Sequence, residues 1–229
     1  MKLLIGNKCY SSWSLRAWLL MRAKGLPFEE IMVLLDQPGF KDGVFRHAPG
    51  SGGTVPTLVD GSVAVWETLA IAEYLHEKHP HHGIWPRDAA ARAHARAVAS
   101  EMHGGFGALR NDCPMNLGKR YATRDRGEGV ARDVARICAI WREARERFGT
   151  KAGGSFLYGA FSAADAMFAP VATRLDTYAI AVDPVSSAYI RAVLDLPAYR
   201  DWLAAALVEP WIVDHDEVAE PAIANLRHS

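Results

Sequence analysis

The spacing of apolar residues changes along this chain, and the change divides it. Residues 2–6 (KLLIG) are a short apolar run, which predicts a buried strand. A polar stretch, Asn7–Tyr10, follows as a loop. Ser11 and Ser12 then stand as N-cap residues before Leu15, Trp18 and Leu19, which share one helical face; that helix runs to Lys24 and stops at Gly25. Phe28–Leu34 is strand-like. Thr57–Val59 and Val63–Trp66 flank Asp60-Gly61, a hairpin signal, and a helix from Thr68 to about His79 carries Ile71, Tyr74 and Leu75. Periodicity then breaks at His79-Pro80-His81-His82-Gly83 and Trp85-Pro86. Beyond the break only helical spacing is evident. Val98, Met102, Phe106 and Leu109 mark one helix, and Val130, Val134, Ile137, Cys138, Trp141 and Phe148 mark another. Phe168, Val171, Leu175 and Tyr178 mark a third, and Pro197 opens a fourth at the favoured first helical position.

The order is β-α-β-loop-β-β-α followed by a bundle. It predicts a thioredoxin-like α/β domain over residues 1–80, a linker over 81–88 and an all-α helical-bundle domain over 89–229. At 229 residues and 50% hydrophobic, the chain has enough apolar surface for a sizeable core. Its 26 Lys and Arg balance 26 Asp and Glu, which argues against nucleic acid or an anionic membrane as partner. Arg110, Arg120, Arg124, Arg126, Arg132 and Arg136 alternate with Asp112, Asp125, Glu128 and Asp133, the pattern of a solvated helix face. The apolar run at the N-terminus is too short for a signal peptide, and no stretch approaches the ~18 apolar residues of a membrane span. Cys9, Cys113 and Cys138 are odd in number and lack metal-type spacing, so free thiols in a cytoplasmic protein are expected.

Three places carry candidate chemistry. Ser11 lies at the first strand-to-helix turn. There the free N–H groups and positive end of a helix, with a hydroxyl, can stabilise a thiolate; a plain N-cap is the alternative. Val55-Pro56 precedes a strand. A cis bond there would leave Val55 open to an extended peptide ligand, whereas a trans proline would merely start the strand. Glu67-Thr68 meets a helix start, where a carboxylate and a hydroxyl with free N–H groups suit an amino-acid head group; a capping pair is the alternative. Ser162 and Asp165, preceded by Phe161, form a variant capping box. Gly50-Ser51-Gly52-Gly53 has no Gly-Lys-Ser/Thr after it and is not a phosphate loop. His76, His79, His81 and His82 read as solvated imidazoles, and no metal is expected.

Taken in order, these segments resemble the cytosolic glutathione transferases. Ser11-Ser12-Trp13-Ser14-Leu15-Arg16 through Lys24-Gly25 is similar, without a gap, to the motif of the zeta class (maleylacetoacetate isomerase-like). Val55-Pro56-Thr57-Leu58, Asp60-Gly61 and Glu67-Thr68-Leu69-Ala70-Ile71 resemble the glutathione-site half of that fold, and Ser162-x-x-Asp165 resembles its helical half. The resemblance implies a homodimeric enzyme that activates the glutathione thiol for attack on a small electrophile, or a zeta-type glutathione-dependent cis–trans isomerase. It implies Ser11 at the thiolate, Ser12 and Trp13 lining the same turn, Val55 on the cysteinyl backbone with Pro56 cis, and Glu67 and Thr68 on the γ-glutamyl end. His103, Phe106, Arg110 and Arg174 would border the second-substrate pocket, with Asn116 nearby. The sequence departs from the pattern in having Thr68 for serine, in a longer glycine run without lysine before Val55, and in Thr177 where the class has an arginine, Arg174 lying one turn earlier. Two other readings stay open. Cys9-Tyr10-Ser11-Ser12 is also a Cys-x-x-Ser redox pattern, although the nucleophile position counted back from Arg16 is Ser11. The fold also serves as a non-catalytic binding or assembly module.

Overall fold

The computed structural model describes residues 1–227. β1 (Lys2–Ile5) pairs in parallel with β2 (Glu29–Met32), and α1 (Ser12–Ala23) makes the crossover between them. β3 (Thr57–Asp60) runs antiparallel to β1, and β4 (Val63–Trp66) antiparallel to β3, giving a sheet in the order β2-β1-β3-β4. Alternation along β1 sends Leu3 and Ile5 into the main core with α1 and α3 (Thr68–Lys78), while Leu4 faces the other way. There Leu4 meets Val44 and Ala48. The loop expected between β2 and β3 therefore contains a short helix, α2 (Phe40–Phe45), whose Val44 covers the second face of the sheet. The hairpin falls one residue later than its strongest signal, because Asp60 pairs with Val63 and Gly61, at φ 62, turns with Ser62.

Among the described residues from 89 onward the elements are helical except for one strand pair. The stripe through Val98, Met102, Phe106 and Leu109 does not form one helix. It splits into α4 (Ala89–Gly104) and α5 (Gly107–Asp112). Gly105 closes α4 so tightly that a Cβ there would meet the Glu101 carbonyl oxygen at 2.6 Å, and Phe106 takes a left-handed conformation, φ 60. β5 (Lys119–Arg120) leads to α6 (Gly127–Ala144), which passes through a π-helical turn, Arg145–Gly149, into a short α7 (Thr150–Ala152). α8 (Ala163–Thr177) is buried along nearly its whole length. The buried Asp165 carboxylate accepts from the Ser162 N–H at 2.8 Å, the Ser162 hydroxyl at 2.9 Å and the Leu157 N–H at 3.0 Å. α9 (Pro184–Leu194) was not anticipated from the apolar spacing; Asp183 caps it and Pro184 takes its first position. α10 (Pro197–Leu207) begins at its proline, and β6 (Ala224–Asn225) pairs with β5, a strand pair too short to leave a period in the sequence.

One hydrophobic cluster runs through both halves. Arg16 on α1 donates from Nε to the Met167 carbonyl of α8 at 3.0 Å, and the Lys24 ammonium donates to the Phe161 carbonyl. The arginine-rich stretch is not uniformly solvated: Arg126 has a side chain only 3% exposed, pairs with Glu220 and lies 4.5 Å over the Tyr178 ring. Among the described residues no helix is long and apolar enough to cross a membrane.

Candidate active site

The end of β1 and the start of α1 build the first wall. The Ser11 N–H donates to the Asn7 carbonyl at 2.8 Å, and Asn7 Oδ1 accepts from the Leu35 N–H at 2.9 Å, so the turn is held from both sides. Glu209, after α10, receives the Lys8 and Cys9 N–H groups at 2.9 and 3.2 Å. Ser11 is the N-cap of α1: its Oγ accepts from the Ser14 N–H at 3.3 Å and lies 2.7 Å from Ser14 Oγ. Although only 6% exposed, Ser11 lines a cavity of about 330 Å³. Ser12, Trp13, Val55, Arg174, His215 and Asp216 share that lining.

A second cavity of about 260 Å³ adjoins it across Trp13, Thr54 and Val55, and adds Pro56, Glu67 and Thr68. The Val55–Pro56 peptide is cis. Among the described residues nothing is hydrogen-bonded to the Val55 N–H or C=O, so both can serve an extended ligand backbone. Glu67 holds φ 68, a strained backbone for a residue with a side chain. Thr68, the first residue of α3, is buried, and its Oγ1 has no hydrogen-bond partner among the described residues. Buried hydroxyls are nearly always paired, so an unpaired one on a cavity wall marks a place for a ligand acceptor. Hollows of about 760 and 740 Å³ elsewhere contain none of these groups.

Three arginines lie at or near the site. Arg16 is fully buried, with both Nη atoms unpartnered among the described residues, and its guanidinium lies 4.2 Å over the Trp13 ring. Burial, with Arg174 and Arg110 adding, pushes its pKa well down. Arg174 donates to the Cys113 carbonyl at 2.9 Å and the Pro170 carbonyl at 3.3 Å, and burial, then Arg110, brings it down to about 10, still a cation at neutral pH. Burial pushes the Asp216 carboxyl up against the pull of His215 and Arg174.

The four residues expected around the second pocket separate. Arg174 lines the larger cavity. Arg110 lies 4.6 Å over Trp13, behind the wall. The His103 ring is 5.0 Å from that of Trp13, with Nε2 3.5 Å from the Glu67 carboxylate. Phe106 is turned into the core by the break at Gly105 and borders neither cavity. Asn116 is buried against Glu217 and Gly118, and Thr177 donates to the Asn116 carbonyl. Cys9 is buried, burial pushes its thiol up, and it lines neither cavity, so the Cys-x-x-Ser pattern presents no accessible sulfur. The sequence reading missed His215 and Asp216, which a short 3-10 turn (Asp214–Asp216) brings from the far end of the chain; the charged run Asp214–Glu217 was their only trace. His215 Nδ1 lies 2.7 Å from the Asp36 carboxylate. Among the described residues no three His, Cys, Asp or Glu side chains stand together as metal ligands.

Comparison with known proteins agrees with this geometry. Residues 10–78 match the family described as "Glutathione S-transferase, N-terminal domain". Glutathione S-transferase Z1 of Arabidopsis thaliana is 39% identical over 95 residues, 40% of this chain and 41% of that protein. A probable maleylacetoacetate isomerase of Caenorhabditis elegans is 32% identical over 100 residues, 44% of this chain and 45% of that one. The chain thus spans between 41% and 56% of the curated relatives it first matches. Among solved structures, a Burkholderia glutathione transferase homolog with bound glutathione superposes with TM-score 0.65 at 23% identity, covering 90% of this chain and 96% of that one. A zeta-class bacterial maleyl pyruvate isomerase gives 0.66 at 21%, covering 92% and 99%.

Proposed function

From a chain that carries the glutathione transferase fold and resembles the zeta class over part of its length, we propose an enzyme that binds glutathione along the two adjoining cavities and attacks a small electrophile with its sulfur. The observation that carries this reading is the convergence of Ser11, an unpaired Val55 backbone and an unpaired Thr68 hydroxyl on one trough. The γ-glutamyl amine pairs with Glu67, and its carboxylate takes the Thr68 hydroxyl and the free N–H groups of α3. The cysteinyl backbone pairs with Val55, and Trp13 walls the peptide on the other side. This places the sulfur at Ser11, at the positive end of α1. A free thiol has a pKa of about 8.5; the helix end and a donated hydroxyl proton suffice to lower it by one to two units, at ~1.4 kcal/mol each.

The thiol proton leaves to solvent, and the thiolate forms a carbon–sulfur bond with the electrophile as the leaving group departs. Arg174 favours one class of acceptor. It is a buried cation on the cavity wall whose bonds go to two carbonyls, and the nearby Asp216 carboxyl is pushed up by burial, so an electrophile bearing a carboxylate fits best. With a conjugated double bond in that acceptor, addition, rotation and expulsion of the same thiolate give isomerisation without net consumption of glutathione. A homodimer in the cytoplasm completes the reading. Exposed Phe45, Val63 and Trp66 offer an apolar contact for a second copy, and the three free cysteines suit a reducing compartment.

Calorimetric titration with reduced glutathione at about pH 6.5 and about pH 8, below the free thiol pKa, tests the reading. Binding with proton release is expected, followed by turnover of maleyl-type acids in preference to uncharged aryl halides. No heat at millimolar glutathione would move the chain to a non-catalytic assembly role.

A further inference from the structure

We propose that Ser14 is a positioning residue that makes Ser11 an obligate hydrogen-bond donor into the cavity. The inference rests on the reading of Ser11 as the group facing the thiolate, and it follows from counting protons and lone pairs at two oxygens. Ser14 is fully buried in the first turn of α1. Its Oγ accepts from the Gly6 N–H at 2.9 Å and lies 2.7 Å from Ser11 Oγ. Among the described residues no other partner is bonded to the Ser14 hydroxyl. The two hydroxyls share one hydrogen bond, so one proton lies between them.

Two arrangements are open. If Ser11 gives the proton, Ser14 accepts twice and its own proton is buried with no acceptor. A cap serine used in this way has no proton left for a ligand. If Ser14 gives the proton, its donor and one lone pair are used, and Ser11 Oγ receives two donors, the Ser14 N–H at 3.3 Å and the Ser14 hydroxyl. A hydroxyl oxygen has two lone pairs and one proton. With both lone pairs occupied by the same residue, Ser11 can only donate, and its proton turns to the cavity it lines. A thiolate there selects the second arrangement, because it alone pairs every polar atom. The chain then runs Gly6 N–H to Ser14 Oγ–H to Ser11 Oγ–H to sulfur, each bond polarising the next. It also denies Ser11 the part of a base, since no lone pair is free to take a proton. Gly6 anchors it at the end of β1, where a Cβ would sit 2.9 Å from Leu35, another residue of the cavity wall.

The test is the ultraviolet titration of the thiolate of bound glutathione in the wild type, Ser11→Ala, Ser14→Ala, the double variant and Ser14→Thr. Ser14→Ala should raise the pKa of the bound thiol by about 0.5–1 unit, a roughly three- to tenfold lower ratio of thiolate to thiol at a given pH. Ser14→Thr, which keeps the hydroxyl, should restore it. In the Ser11→Ala background, Ser14→Ala should shift nothing further, because the relay ends at Ser11. A raised pKa in Ser11→Ala with a wild-type value in Ser14→Ala overturns the relay, and so do additive shifts in the double variant. An unmoved pKa in Ser11→Ala rejects the assignment of Ser11 itself. Should Ser14→Ala fail to fold for want of an acceptor for Gly6, Ser14→Cys replaces it. Its weak S–H donor should raise the pKa where Ser14→Thr does not, and equal values in the two would reject the proposal.

Discussion

Glu67 and Thr68 show what single residues of the candidate site cost the free protein. Glu67 holds a positive φ, which glycine adopts without penalty. Glu67→Gly should therefore raise stability by about 1 kcal/mol while weakening glutathione binding about 10- to 100-fold, the loss of a charge-assisted hydrogen bond. Paired denaturation and calorimetry check this, and a variant that binds as tightly as wild type would remove Glu67 from the site. Thr68 bears a buried hydroxyl with no partner among the described residues. Thr68→Val keeps the shape and removes the unpaired oxygen, so the free protein should be as stable or slightly more stable, while glutathione affinity falls about tenfold. A clear loss of stability would mean that the hydroxyl has a structural partner. The sequence singled out both residues as candidates, because a Glu-Thr pair at a helix start suits either capping or head-group binding. It gave no hint of Glu67's strained backbone, which the meeting of β4 and α3 imposes.

Among the elements, α9 is the clearest case of a helix whose start depends on charge. Asp183 caps it, accepting from the Val185 and Ser186 N–H groups, each at 3.0 Å, and pairs with Arg142 at 2.7 Å. Partial burial pushes this carboxyl up, but the Ser186 hydroxyl and N–H and the Arg142 guanidinium outweigh it and bring it down to about 2 from 3.8. A depressed carboxylate contributes stability that is present above the unfolded pKa and lost as pH falls through the folded one. Asp183→Ala should thus cost about 1–2 kcal/mol at neutral pH, and the difference from wild type should close between about pH 4 and pH 2. Chemical denaturation of both proteins across that range measures it; a gap that persists at the acid end would assign the loss to packing. α4 and α5 carry the opposite lesson. Their apolar stripe is continuous in sequence, yet the chain breaks at Gly105, because helical spacing records which residues face the core and not whether the backbone between them is unbroken.

At the scale of the whole molecule, α10 and the segment after it brace the turn that carries Ser11. Glu209 takes the Lys8 and Cys9 N–H groups, the Trp202 indole donates to the Lys8 carbonyl at 3.0 Å, and Arg227 donates to the Tyr10 hydroxyl at 2.8 Å. Glu209→Ala would leave two buried N–H groups unpaired and should cost about 2–4 kcal/mol. Because the same turn presents Ser11, catalytic efficiency should fall as well although Glu209 borders neither cavity. Thermal unfolding and steady-state kinetics test this together, and a stable variant of unchanged activity would show the brace to be dispensable.

Local chemistry was legible in the sequence alone. The strand-to-helix turn with its serine cap, the hairpin, the helix-start pair at Glu67-Thr68 and the Ser162–Asp165 box each depend on neighbours a few residues apart, and the structure has them where short-range spacing put them, the hairpin one residue later. What depends on distant segments could only be decided in three dimensions. Arg174 reaches the site while Phe106 turns away from it, and His215 and Asp216 close the wall from the far end of the chain. Arg16 and Arg110 lie over the Trp13 ring and Arg174 lines the cavity, so the three act on one another although they stand far apart in the chain. The physical reason is range. Caps and turns are settled by bonds within one helical turn, whereas a cavity wall and its field are settled by whichever segments the core brings together.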